Sequence, residues 1–242
     1  MELCLKSINF KYEDGYVFKD FNLSFKNGLT IIIGNNSSGK TTLFNIISGI
    51  FPYDGEISLD NKDIRLCKEK LFLNKYYVDS LKGKVSKFLD EVDLDDDIID
   101  LKKYKNKKFE ELDHSIKVKI VLAKIFYNDY KIVFIDNLLC WLSKNDRNMI
   151  LKKLKSMSKN RIIIVITNNV EDVLYSKNVV MLEKGEVVIN EELKQFFLDK
   201  KNLEKYNVEL PFVVDLSYNL MLYNIIDNVY FDTRKLVDSI WK

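Results

Sequence analysis

Between Glu2 and Ile33 apolar and polar residues alternate in short runs, ELCLKSINFKY, DFNLSF and LTIII. Alternation at period two predicts strands, and Asp14-Gly15 and Asn27-Gly28 supply the turns between them. A glycine-framed loop opens at Gly34, and a helix is predicted from about Gly39 to Ser48, stopped by Gly49 and Pro52. GEISLD predicts another strand. Residues from about 65 to 130 read as mostly helical, with a break between Val92 and Lys108. The pattern then becomes plainly α/β. A wholly apolar strand, Ile132–Ile135, precedes a polar helix at about 145–158 and a strand at Ile162–Ile166. A helix near Val170–Tyr175 leads to a hairpin, Val179–Leu182 and Glu186–Ile189. From about Tyr206 the chain continues as an apolar, tyrosine-rich helical tail.

Strands alternating with helices imply a largely parallel sheet, with ligands at the carboxyl ends of the strands. The expected organisation is an α/β domain over 1–205, with a helical subdomain at about 65–130, and a helical extension over 206–242. Composition narrows the class. Hydrophobic residues make up 47% of the 242, which is enough for a full core and excludes a disordered chain. Net charge is +2, so the chain lacks the electrostatic footprint of a protein whose main partner is nucleic acid. The basic run Lys102–Lys108 reads as a solvated face. Cys4, Cys67 and Cys140 are odd in number and unpaired in spacing, which favours a reducing compartment. His114 is the one histidine, so chemistry that needs two is excluded. No apolar stretch approaches the ~20 residues of a membrane span, and the amino terminus does not read as a signal peptide. The expected location is therefore cytoplasmic, with any membrane role exerted through a partner.

Candidate chemistry centres on GNNSSGKTT, Gly34 to Thr42, which fits G-x-x-x-x-G-K-S/T between a β-branched strand and a helix. In such a loop the backbone N–H groups of Gly34, Asn35, Asn36, Ser37, Ser38 and Gly39 form an anion nest, and the helix amino terminus adds positive potential. Lys40 is expected to reach β- and γ-phosphates, and the hydroxyl of Thr41 to ligate Mg²⁺. Thr42 completes the run. Asp136 ends the buried strand, where a Mg²⁺-associated carboxylate belongs, directly or through water. These residues do not by themselves decide adenine against guanine.

The order of these elements resembles the nucleotide-binding subunit of ABC transporters over nearly the whole chain. GKTTLFNIISGIFPYDGEISLDNKDI is similar to that family's stretch after the phosphate loop. KIVLAKIFYNDYKIVFID and RIIIVITNNVEDVLYSKNVVMLEKGEVV are similar to its later segments. The tail around Leu210-Pro211 and Thr233–Val237 resembles the extension of ATPase subunits from energy-coupling-factor, cobalt-type importers. The resemblance implies a P-loop NTPase fold of the ABC type, with an antiparallel β subdomain and a shortened helical subdomain. It implies ATP and Mg²⁺ as ligands, and Tyr12 as the aromatic that stacks on adenine. It also implies two partners, a second ATPase subunit and an integral membrane transporter subunit.

Departures from the family pattern accompany the resemblance. The stretch at the glycine-rich signature is LDHSI, Leu112 to Ile116, where Asp113 brings negative charge and His114 brings bulk. Asn137 stands at the catalytic glutamate position, and an amide orients water but does not take its proton. Asn168 stands at the switch histidine position, Ser143 at the D-loop aspartate, and Asp79 at the Q-loop glutamine. Ser37 replaces a middle glycine of the phosphate loop. No catalytic residue is assigned with these positions changed. The expectation is an ATP-binding transporter subunit in a heterodimer, in preference to a homodimer, with weak or no hydrolysis of its own. A non-catalytic, nucleotide-responsive scaffold of a membrane complex is the alternative. The tail's Tyr218, Leu220, Leu222 and Tyr223 fit either packing on the main domain or a dimer contact.

Overall fold

A computed structural model describes residues 1–13, 15–89 and 102–241. Asp14 of the first expected turn, and the acidic part of the expected break, 92–101, lie outside the described residues.

The chain begins with β1 (Glu2–Tyr12), β2 (Gly15–Lys26) and β3 (Gly28–Ile33), followed by α1 (Lys40–Ile47), β4 (Asp54–Leu59) and β5 (Lys62–Asp63). Next come β6 (Lys70–Leu73), α2 (Lys75–Asp79), α3 (Val85–Leu89) and α4 (His114–Tyr127). The second half runs through β7 (Ile132–Asp136), α5 (Lys144–Met157), β8 (Ile162–Ile166), β9 (Asn178–Glu183) and β10 (Glu186–Glu192). It closes with α6 (Leu193–Leu198), α7 (Lys200–Lys205), α8 (Phe212–Leu222) and α9 (Thr233–Ile240). The helix expected at Val170–Tyr175 is a 3-10 segment.

The strands form two sheets. One is antiparallel, in the order β2-β1-β4-β5, and the other has the order β10-β9-β3-β8-β7-β6. In the second sheet β9, β3, β8, β7 and β6 are parallel, and only β10 runs against its neighbour. Every residue of β3, β7 and β8 is buried, as expected of parallel strands covered on both faces. Alternation along each strand divides the core. Ile31, Val133, Ile135, Ile163 and Val165 pack with α4, α5 and α8. Ile32, Ile132, Phe134, Ile162 and Ile164 pack with α1 and the antiparallel sheet.

The mostly helical stretch expected at about 65–130 needs a correction. It opens with β6, which pairs in parallel with β7 from Lys70↔Ile132 to Leu73↔Ile135 and lies at the end of the sheet. Beyond it, Val85, Leu89, Phe109, Leu112, Ile120 and Ala123 form a small separate core between α3 and α4. The tail is seated on the main domain, because Val213, Val214 and Leu236 are buried in the same cluster as Leu151 of α5. Tyr218 and Leu220 pack against that cluster, whereas Leu222 and Tyr223 are exposed.

Candidate functional site

The carboxyl ends of β3, β7 and β8 open on a cavity of about 500 Å³. The loop from β3 into α1 shapes its floor. Gly34 has φ +146°, and a Cβ there would lie 2.2 Å from the Leu182 carbonyl oxygen, so only glycine fits. Ser38 donates its N–H to the Asn35 carbonyl at 3.2 Å, and Gly185 donates to the Ser38 carbonyl at 3.0 Å. These bonds fix the loop from within and from the β9–β10 turn. Ser37 takes φ 62°, a left-handed conformation that costs a non-glycine residue roughly 1 kcal/mol. Ser37→Gly should therefore leave nucleotide binding intact and raise stability by up to about 1 kcal/mol, less the added unfolded-state entropy. Equilibrium urea unfolding checks this, and a loss of stability would contradict it.

Lys40 begins α1 and is buried. Its Nζ donates to the carbonyls of Gly34 at 2.6 Å and Asn35 at 2.8 Å, and to Ser38 Oγ at 3.3 Å. Burial pulls its ammonium below the ordinary lysine range, and the Asp136 carboxylate opposes that shift. Asp136, the last residue of β7, is also buried. Burial pushes its carboxyl above the usual range, against a hydrogen bond from the Thr41 side chain and the Lys40 charge. The loop and the end of β7 thus bring a poorly solvated cation and a poorly solvated acid near one threonine hydroxyl. Each charge lacks the solvation it would have in water. A phosphate would compensate Lys40, and a divalent cation would compensate Asp136. The hydroxyl and carboxylate oxygens suit Mg²⁺, which keeps several of its waters, so the donor set fits the expected ligand.

The expected residues are brought together. Asn36, Ser37, Ser38, Gly39, Thr41 and Thr42 line the cavity with Lys40 and Asp136. Gly34 and Asn35 stand behind it and supply the carbonyls that hold Lys40. Tyr12, Asn137 and Asn168 also line it. Tyr12 shares a 3.3 Å hydrogen bond with Thr42 Oγ1. Its ring meets Phe10 edge-on at 4.9 Å, and Phe51 at 5.9 Å. Asn137 adopts φ 51°, and its N–H donates to the Ile166 carbonyl at 3.1 Å. Sequence reading missed Val17 and Ile166 as lining residues. Ile166 could have been found as the end of a strand leading to the loop, but Val17 carries no local signal.

Two positions compared with the family pattern, Asp79 and His114, face each other. Asp79 is not at the cavity. It ends α2, where it accepts from Lys75 at 2.9 Å and faces His114 Nδ1 at 3.3 Å. Asn74, which leaves β6 beyond the Leu73↔Ile135 pair, is buried and accepts from the Tyr77 N–H at 2.8 Å. His114 is folded against Trp141, ring centroids 4.2 Å apart, and its buried Nε2 has no hydrogen-bond partner. Beside Asn168, a buried pair joins α5 to the turn after β8. Asp172 accepts from Arg147 Nε at 2.6 Å, from Arg147 Nη2, and from Thr167 Oγ1 at 2.7 Å.

Comparison with known proteins gives a consistent picture. A model of the ABC transporter family matches residues 18–139, half of the chain. The energy-coupling factor transporter ATP-binding protein EcfA2 of Clostridium perfringens is 27% identical, over 99% of this chain and 96% of the relative. The EcfA1 protein of Mycoplasma mobile is 25% identical, over 98% and 96% respectively. Among solved structures, cbiO1 of Clostridium perfringens, part of the ABC transporter complex cbiONQ, matches with a TM-score of 0.65 and 26% identity. That match covers 86% of this chain and 95% of the other. An ATP binding subunit of an ABC transporter matches with a TM-score of 0.72 at 16% identity, covering 86% and 98%, a likeness of fold alone.

Proposed function

We propose, from the premise that this chain belongs to the ABC transporter family, that it is the ATP-binding subunit of an energy-coupling-factor-like membrane transporter. The observation that carries this is the phosphate loop with Lys40 and Asp136 buried near Thr41. Lys40 would hold the β- and γ-phosphates, Thr41 and Asp136 the Mg²⁺, and Tyr12 the base. The length of the match to energy-coupling factor ATP-binding proteins supports that type of transporter. No helix among the described residues is long and apolar enough to cross a membrane. The chain then sits on the inner face of the membrane through an integral membrane partner.

Turnover needs a base for the attacking water, and Asn137 offers an amide that does not accept a proton at neutral pH. Asn168 likewise cannot do what an imidazole does. His114, whose ring meets Trp141 at a tilt at the start of α4, places a ring where small residues would let backbone N–H groups meet a partner's phosphate. The reading is therefore binding without efficient turnover, in a heterodimer whose other ATPase supplies the missing groups. The purified chain should bind MgATP and release almost no phosphate. Magnesium-dependent turnover at the rate of an ordinary transporter ATPase would overturn the reading.

The same substitutions at Asn137, Asn168 and LDHSI also favour a second reading, a nucleotide-responsive scaffold of a membrane complex. Lys40→Ala in the assembled complex separates the two. Lost transport with intact assembly favours the transporter subunit. Lost assembly with unchanged ATPase activity favours the scaffold.

A further inference from the structure

Asn168 lines the cavity, and both of its neighbours are held. Thr167 Oγ1 accepts the Asn169 N–H at 3.0 Å and donates to Asp172 at 2.7 Å. Asn169 Oδ1 accepts the Glu171 N–H at 3.0 Å. The Glu171 carboxylate then leaves this turn and accepts the backbone N–H of Phe212 at 2.9 Å. Phe212 is the first residue of α8. Its N-cap is Pro211, which makes no side-chain capping bond. A helix start has orphan N–H groups and positive potential, and a carboxylate satisfies both. The cap that α8 lacks in its own sequence comes from the turn three residues beyond Asn168. The two elements also share one core, since Val173 of the turn is buried in the same cluster as Val213 and Val214 of α8.

We propose that Glu171 is a positioning residue for the nucleotide pocket, tying the turn that presents Asn168 to the amino end of the carboxyl-terminal extension. The inference rests on the reading of the cavity as a nucleotide site. The carboxylate is charged and its partner is a helix terminus, so the bond is of the stronger, charge-assisted kind. How the extension sits thereby sets how Asn168 meets the bound nucleotide.

The test uses the full chain with Glu171→Ala and Glu171→Gln, calorimetric titration with MgATP, and hydrogen exchange without nucleotide. Glu171→Ala should weaken MgATP by about five-fold, the low end of a typical coupling between sites. It should also speed exchange at the amides of Asn169 and Glu171. Glu171→Gln keeps a neutral acceptor for the Phe212 N–H and should restore both properties in part. A role confined to capping α8 would lower the melting midpoint and speed exchange only within α8. Affinity for Glu171→Ala within about two-fold of the parent would overturn the proposal, because that is below any useful coupling. Failure of the parent chain to bind MgATP would strike the pocket reading instead. The exchange measurement needs no nucleotide and would still decide whether Glu171 holds the turn.

Discussion

Replacing Lys40 with alanine removes most of the chain's affinity for MgATP and leaves it folded. The loop does not depend on the ammonium for its shape. Ser38 to Asn35, Gly185 to Ser38 and Leu43 to Gly39 are backbone bonds that survive the change. The freed carbonyls of Gly34 and Asn35 lie behind an open cavity that water can enter, so leaving them unpaired costs little. What is lost is a desolvated cation aimed at phosphate. Hydrogen bonds to charged groups contribute about 1.5–3 kcal/mol each. Two phosphate contacts, less the loop bonds broken to make them, give about 2.7 kcal/mol, or about 100-fold in Kd. Calorimetric titration beside a far-ultraviolet circular dichroism melt separates binding from folding. An affinity within about three-fold of the parent, near 0.6 kcal/mol, would show that the loop does not hold phosphate through Lys40.

That loop was the most legible part of the chain because its chemistry is local. Gly34 and Gly39 answer the loop's backbone demands, and Lys40 folds back on carbonyls a few residues earlier. Asp136 was legible for a similar reason, since an acid at the end of a buried apolar strand is costly unless a cation or hydrogen-bond donor compensates it. Legibility falls where the deciding partner is distant in sequence. The four residues of β6 carry too short an alternation to declare a strand, and pairing with Ile132–Ile135 is what makes them one. Asp79 was assigned by resemblance and position, but its place is set by Lys75 and His114. His114 read as bulk facing a phosphate, and only the fold reveals Trp141 as its neighbour. Val17 reaches the cavity from an antiparallel strand whose alternation says nothing about ligands. Glu171 carries no local signal for its role, because its partner Phe212 lies in the extension.

Asp172→Ala is expected to destabilise the chain by about 3–5 kcal/mol, the cost of leaving one member of a buried ion pair without its partner. The pair is well shielded, with side-chain exposure of 13% for Arg147 and 2% for Asp172. Removing the carboxylate strands the guanidinium and also frees the Thr167 hydroxyl from its acceptor. Urea unfolding with an unchanged slope measures the loss, and a value below about 1 kcal/mol, that of an exposed pair, would mean the pair is not effectively buried. The double replacement Arg147→Met with Asp172→Leu sharpens the meaning of the pair. Buried ion pairs are often replaced by apolar residues at little cost in stability, so the double variant should recover much of what the single one loses. Recovery of affinity does not follow from recovery of stability. Thr167 Oγ1 accepts the Asn169 N–H beside the cavity-lining Asn168, and Arg147 Nη2 and Asp172 orient that hydroxyl. Without them the hydroxyl rotates freely, and the turn that presents Asn168 loses its anchor. The double variant should therefore be stable yet bind MgATP more weakly than the parent. Equal affinity would show that the pair serves the fold alone.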